Sequence, residues 1–176
     1  ERTTKQEARV SPERQTSVAI VDGQWRINGE ITYPGAQAEG LLMNVRMVNS
    51  TFEDRNRNDF DSDANTDAFL RHIRDYYAHG VRAFTLNLQG GLPGYEGALN
   101  SAFTSGGSLR SSYLARITRV IEACDEQGTI VILGCFYQRQ DQVLADDDAI
   151  RAAVRNAVRW IQVSGFTNVM LEVANE

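Results

Sequence analysis

The sequence predicts an α/β fold in which helices cover a parallel β-sheet. Four short, mostly apolar runs alternate with three longer segments in which apolar residues recur every three or four positions. The short runs are nearly continuous in apolar residues, which is typical of strands buried on both faces of a parallel sheet. The chain has 176 residues, 42% of them hydrophobic and 23% charged, which is the composition of one globular domain.

The chain divides into a leader and a folded domain that contains this alternation. Residues 1–17 are polar and predict a disordered or extended leader, whereas residues 18–176 predict the folded domain. The chain begins without methionine, which is consistent with a start trimmed after removal of a signal peptide. We therefore expect a secreted protein, extracellular or periplasmic.

The folded domain opens with a predicted β-hairpin at residues 18–33. Asp22-Gly23 and Asn28-Gly29 lie between short β-prone runs. Such pairs adopt the positive backbone φ angles of tight hairpin turns.

The remainder of the domain predicts alternating strands and helices. Each predicted helix ends at a glycine, the residue that most readily adopts the left-handed conformation at a helix C-terminus. The last helix opens with three aspartates, which suit the positive end of the helix dipole. Strands are predicted at 40–49, 81–89, 129–137 and 168–176, and helices at 65–80, 108–128 and 145–165.

Two architectures fit this order, an open doubly wound sheet and the first half, strands 1 to 4, of a TIM (β/α)₈ barrel. The barrel is favoured because polar residues follow the apolar runs, at the strand ends where barrel enzymes place their sites. A long glycine-rich loop at 88–108 also suits a site, and the hairpin would close the barrel floor. A barrel requires the four strands to pair in sequence order. The polar residues at the strand ends are Asn49, Gln89, Gln138 and Glu176.

Composition argues against several classes of partner. The net charge is -5 and basic residues are spread along the chain, so we predict no nucleic-acid partner. The sequence contains no run of about 18 apolar residues, so we predict no membrane span. Cys124 and Cys135 are expected to be buried thiols. His72 and His79 are expected to face solvent, so we predict no metal, and the glycine-rich loop matches no nucleotide-binding pattern, so we predict no cofactor.

The last predicted strand places charged side chains on one face. Strand residues alternate, so Glu172, Ala174 and Glu176 lie on the same face, toward the barrel interior. A buried carboxylate needs a partner, and Arg46 on the inward face of the first barrel strand is the candidate. We predict a structural ion pair between Arg46 and Glu172. Glu176, at the strand tip, is available for chemistry.

Cleavage of a glycosidic bond needs one carboxyl group that gives the leaving oxygen a proton and a second, ionised carboxylate. The E-x-x-N-E pattern of Glu172, Asn175 and Glu176 at the end of a fourth strand resembles the clan A, cellulase-like (family 5-like) glycoside hydrolases. The resemblance implies that Glu176 is the general acid/base and that Asn175 binds the sugar 2-hydroxyl. It places the nucleophile at the end of the seventh strand, beyond residue 176.

The sequence departs from this family at two strands. Members usually carry an arginine in the second strand and a histidine near the end of the third, where this chain has FTLNLQ and LGCFYQRQ. Arg46 and Arg139 are the available substitutes.

A carbohydrate and the C-terminal half of the same barrel are the expected partners. Tyr95 and Glu96 either decorate the substrate cleft or belong to a solvated loop. The alternatives to a glycosidase are a non-catalytic carbohydrate-binding barrel and a complete open α/β domain. The predicted substrate-binding residues are Asn175, Asn49, Gln89, Tyr95, Glu96, Tyr137 and Arg139.

Overall fold

The computed structural model describes residues 13–54, 59–90, 99–137 and 143–175. Within these ranges the chain forms a small antiparallel sheet and a larger parallel sheet, with helices between the parallel strands.

The small sheet contains three antiparallel strands, β1 (Val18–Val21), β2 (Gln24–Ile27) and β3 (Glu30–Ile31). Asp22 and Gly23 have φ angles of 52° and 76°, which are typical of a two-residue type I′ turn. Asn28 and Gly29 repeat this pattern. The hairpin prediction is confirmed, and a third short strand extends it.

The large sheet is parallel and its strands pair in the order β4-β5-β6-β7. This sequential order is the one predicted for a barrel. β4 is shorter than predicted because the chain turns into a 3₁₀ helix at Val48–Thr51. The strands are β4 (Asn44–Arg46), β5 (Ala83–Asn87), β6 (Ile130–Tyr137) and β7 (Val169–Asn175).

Four α-helices connect the parallel strands. The segment predicted as one helix at 65–80 contains two, α1 (Ser62–Leu70) and α2 (Ile73–Ala78). The other two, α3 (Ser111–Gln127) and α4 (Asp147–Ser164), match their predictions and end at glycines in the left-handed conformation. The Asp146 side chain caps α4 by accepting a hydrogen bond of 2.8 Å from the backbone N–H of Ala149.

The core lies between the parallel sheet and the helices. Phe84, Leu86, Val131 and Leu133 project from one face of the sheet and are fully buried with Ile117, Val120 and Ile121 of α3. The sheet buries only part of the apolar face of α4. Ala149, Ala153 and Ala157 are the buried residues of α4, whereas Ile150 is 38% exposed.

The segment before β1 is attached to the edge of the sheet where the strands begin. The backbone N–H groups of Gln15 and Thr16 donate to the carboxylate of Asp125, at 3.0 and 2.9 Å. The hydroxyl of Thr167, just before β7, donates to the carbonyl of Thr16 at 2.7 Å. Tyr33 also donates to the carbonyl of Gly80, which precedes β5. The small sheet therefore lies on the side opposite the C-terminal ends of the strands.

Candidate active site

Three adjacent strands bring polar side chains together on the face of the sheet opposite the helices. Asn87 ends β5 and pairs in register with Gly134 on β6, which pairs with Glu172 on β7. Residues in register on neighbouring strands project to the same face. Asn87 and Glu172 therefore flank Gly134.

Because Gly134 has no side chain, the side chains of Asn87 and Glu172 both lie against it. A Cβ atom at this position would lie 2.7 Å from Asn87 Oδ1 and 3.5 Å from Glu172 Oε2. Asn87 is 1% exposed, and neither polar atom of its side chain has a hydrogen-bond partner among the residues that the structure describes. Glu172 is half-buried.

An arginine and a tyrosine meet at the C-terminal edge of the sheet. The guanidinium carbon of Arg46 lies 5.9 Å from the centre of the Tyr137 ring, within the range of a cation–π contact. Tyr137 packs against Gly90, where any side chain would collide with the ring and where φ is +78°. Arg46 and Tyr137 come from strands on either side of β5, so they span its end.

The loop at 99–110 folds back over the end of β5. Gln89 forms an antiparallel bridge with Ser101, and its side-chain amide donates to the Ser101 hydroxyl at 3.2 Å. Gln89 is fully buried. Gln89 therefore holds this loop at the end of β5, and its contact with substrate stays a prediction.

A buried ionic cluster, which sequence reasoning missed, attaches the same loop to the helices. Glu53 lies between two arginines: Arg110, which precedes α3, and Arg116, whose guanidinium contacts Glu53 at 2.5 Å. Glu53 and Arg116 are 8% and 4% exposed. The backbone N–H of Glu53 donates to Asn100 at 3.1 Å. No sequence pattern signals this cluster, because the partners of Glu53 lie 57 and 63 residues away.

Burial shifts the pKa of three neutral groups in the core. It raises the pKa of Tyr113 to about 12, although the nearby side chains of Thr51 and Asn100 oppose the shift. The Tyr113 hydroxyl also donates to the carbonyl of Asn87 at 3.1 Å. Burial raises the pKa of Cys124 to about 12 and that of Cys135 to about 11. Both cysteines are free and buried, as predicted.

Of the other predicted site residues, the structure describes two, Asn49 and Asn175. Asn49 is exposed on the 3₁₀ helix, in a surface depression that it shares with α1 and α2. Asn175 is placed by its backbone pairing with Tyr137. Tyr95, Glu96, Arg139 and Glu176 lie outside the described residues.

The ion pair between Arg46 and Glu172 stays a prediction. Arg46 is on β4 and Glu172 is on β7, the two edge strands of the described four-stranded sheet.

The two histidines lie at the protein surface. His72 and His79 are exposed on α2 and its flanks, and His72 contacts Asp75 at 3.1 Å. In the described part of the chain, no three His, Cys, Asp or Glu side chains converge as a metal site would require. No described helix is long and apolar enough to cross a membrane.

The parallel sheet has its strands in sequential order, helices on one face and polar groups on the other. This is the arrangement of a β/α-repeat fold, and known structures share it. The chain is similar to β-1,4-D-mannanase from Cryptopygus antarcticus, with a TM-score of 0.57 and 15% identity over 93% of this chain and 44% of that one. It is also similar to endo-1,4-beta-mannanase from Eisenia fetida, with a TM-score of 0.55 and 16% identity over 92% of this chain and 45% of that one.

A third similar structure is β-mannanase from the blue mussel Mytilus edulis, with a TM-score of 0.55 and 12% identity over 92% of this chain and 46% of that one. The predicted resemblance to cellulase-like glycoside hydrolases is thus confirmed at the level of the fold. The chain spans less than half the length of these neighbours. No family model and no curated protein matches the sequence.

Proposed function

We propose that the chain is the N-terminal half of a (β/α)₈ glycoside hydrolase that cleaves an O-glycosidic bond with two carboxyl groups. The observation that carries the proposal is the sequential parallel sheet, whose strand order and similarity to mannanases support a barrel in which the Asn175-Glu176 pair ends the fourth strand. Active sites of barrel enzymes lie at that edge. The other half of the barrel would supply the nucleophile.

In this proposal Glu176 donates a proton to the leaving oxygen and Asn175 binds the sugar 2-hydroxyl. Arg46 and Tyr137, which meet at the C-terminal edge of the sheet, contact the substrate. An aromatic ring and a guanidinium suit a sugar, because the ring packs on its apolar face and the guanidinium donates to its hydroxyls. Tyr95, Glu96 and Arg139 are further proposed contacts. The protein acts extracellularly or in the periplasm.

Substitution of Glu176 tests the acid/base role in the protein that contains the whole barrel. β-1,4-Mannan is the first substrate to try, because the similar structures are mannanases. We expect Glu176→Gln to abolish hydrolysis of glycosides with poor leaving groups and to spare part of the activity on activated aryl glycosides, which need no proton. Glu126→Gln, at an exposed position of α3, is the matched control. Equal loss on both substrates would remove Glu176 from this role.

A non-catalytic carbohydrate-binding barrel is the second candidate. It is favoured by the end of β5, where the buried amides of Asn87 and Gln89 occupy the strand that usually carries an arginine in the cellulase-like family. Isothermal titration of the whole protein with mannan oligosaccharides, together with an activity assay, separates the two functions. Binding without turnover would support the second candidate.

A further inference from the structure

Asn100 attaches the loop at 99–110 to the backbone that follows β5. The backbone N–H of Gly90 donates to the carbonyl of Asn100 at 2.9 Å, and the side-chain amide of Asn100 donates to the carbonyl of Gly90. The Asn100 side chain also accepts a hydrogen bond of 3.1 Å from the backbone N–H of Glu53. Asn100 is 2% exposed. The position of Gly90 is therefore fixed by a buried side chain that a second segment holds in place.

Gly90 in turn lies directly against the ring of Tyr137. A Cβ atom at Gly90 would come within 2.7 Å of Cγ and 2.8 Å of Cδ1 of this ring, closer than side-chain atoms approach one another. The φ angle of Gly90 is +78°, in the left-handed region that favours glycine. The backbone at Gly90 therefore limits how the Tyr137 ring can turn.

The same ring meets Arg46 at the C-terminal edge of the sheet. The guanidinium carbon of Arg46 lies 5.9 Å from the ring centre. Tyr137 is half-buried, so part of its surface is accessible. An aromatic ring packs on the apolar face of a sugar only in a suitable orientation. Whatever fixes the ring therefore affects binding at this edge.

We propose that Asn100 is a positioning residue for Tyr137. Its hydrogen bonds hold Gly90 against the ring and so set the orientation in which Tyr137 meets a sugar. The contact with a sugar rests on the proposed function, whereas the orientation of the ring does not. In this role Asn100 acts through Gly90 and Tyr137 and need not touch the substrate.

Fluorine NMR of the protein that contains the whole barrel tests the orientation of the ring. Tyrosines are replaced by 3-fluorotyrosine, and Tyr137→Phe identifies the Tyr137 signal by its loss. We expect Asn100→Ala to shift this signal by more than its line width. Asn156→Ala is the matched control, because Asn156 also donates to a glycine carbonyl, that of Gly107, which packs on α4. An unchanged Tyr137 signal in Asn100→Ala, or an equal shift in both variants, would overturn the proposal.

Gly90→Ala tests the same contact from the glycine side, and it decides the matter if Asn100→Ala does not fold. The added methyl group would collide with the Tyr137 ring, so the fluorine signal of Tyr137 is expected to move. Gly35→Ala is the control, because Gly35 has a φ of +76° and a Cβ there would meet nothing within 4 Å. A Tyr137 signal that stays in place in Gly90→Ala would show that Gly90 does not hold the ring.

A double-mutant cycle separates positioning from a merely structural role. With a mannan oligosaccharide, Asn100→Ala and Tyr137→Ala are each expected to raise KM about fivefold with little change in kcat, because each weakens one aromatic contact with the sugar. In the Tyr137→Ala background, Asn100→Ala should have no further effect on KM. Additive effects would contradict the proposal.

The two kinds of measurement also separate this inference from the proposed function. If the wild-type protein binds the oligosaccharide without turnover, dissociation constants replace KM in the cycle. If it neither binds nor cleaves, the proposed function fails, and the fluorine signal of Tyr137 still decides the role of Asn100.

Discussion

At the scale of single residues, Glu53 is a buried carboxylate that is paired with two arginines. Its carboxylate is shared by Arg110 and Arg116, and its backbone N–H donates to Asn100. Because these contacts connect the segment after β4 to the loop after β5, the same residue supports two connections at the C-terminal edge of the sheet.

Removal of the Glu53 charge is expected to destabilise the protein strongly. Glu53→Gln leaves Arg116 buried without a counter-charge, and loss of one partner from a buried ion pair typically costs about 3 to 5 kcal/mol. Asp63→Asn is the control, because Asp63 is exposed and its pair with Arg119 contributes about 0 to 1 kcal/mol. Urea unfolding measures both. Equal effects would show that the Glu53 cluster does not stabilise the fold.

The raised pKa of Tyr113 predicts that the free energy of unfolding falls as the pH rises from about 10 to about 12. The pKa of Tyr113 is raised from 10.0 to about 12 by burial, so in this range the unfolded chain has lost the phenol proton while the folded chain retains it. The unfolded state then binds fewer protons, and the free energy of unfolding decreases with pH.

Tyr113→Phe tests this dependence. The variant is expected to show a shallower loss of stability over the same range when unfolding is measured at a series of pH values. Part of the loss should remain, because Cys124 also has a raised pKa. An unchanged slope would indicate that Tyr113 ionises without unfolding.

At the scale of elements, the loop before α3 packs directly on α4. A Cβ atom at Gly107 would collide with the backbone carbonyl of Ala149 and would lie 2.8 Å from the backbone nitrogen of Ala153. The φ angle of Gly107 is +79°, a conformation that disfavours side chains. The carbonyl of Gly107 also accepts a hydrogen bond from Asn156 at 2.9 Å. Close packing of loop and helix therefore depends on this glycine.

Gly107→Ala is expected to lower stability by about 2 kcal/mol or more, since the left-handed conformation alone costs about 1 to 2 kcal/mol and the collision adds to it. The neighbouring Gly106→Ala has no contact within 4 Å and should change stability little. Thermal unfolding followed by circular dichroism compares the two. Similar midpoints for both variants would mean that the loop can move away from α4 at little cost.

At the scale of the whole molecule, the described parallel sheet has two edge strands, β4 and β7. Val173 on β7 is 54% exposed. An exposed apolar strand edge offers unpaired backbone groups to another strand, either from the rest of a barrel or from a second chain. We therefore expect the 176-residue polypeptide, when produced alone, to self-associate.

A charge at the β7 edge should reduce this association. Val173→Lys is expected to shift the material toward monomer in sedimentation or size-exclusion measurements, because lysine on an edge strand disfavours pairing. Val163→Lys is the control, since Val163 is 81% exposed and belongs to α4 rather than to an edge strand. A wild-type chain that is monomeric and well folded would contradict the expectation and would argue against the half-barrel.

The sequence by itself determined the features that depend on neighbouring residues. Periodicity predicted α3 and α4, glycines such as Gly128 and Gly165 predicted their ends, and two Asx-Gly pairs predicted the turns of the first sheet. These features depend on local backbone preferences, which act over a few residues and are visible in a short window. The same alternation fits two strand orders, and the polar residues at the strand ends favoured the sequential one.

Only the tertiary structure decided which distant residues meet. The contacts of Glu53 with Arg110 and Arg116, the burial of Gln89 under the loop at 99–110, and the register that places Asn87 beside Gly134 and Glu172 all join segments far apart in the chain. Their positions depend on how the strands twist and how loops fold back on them, and the residue types carry no signal of this. A one-residue change of register would turn each strand side chain to the opposite face, so Asn87 and Glu172 meet at Gly134 only in the folded sheet.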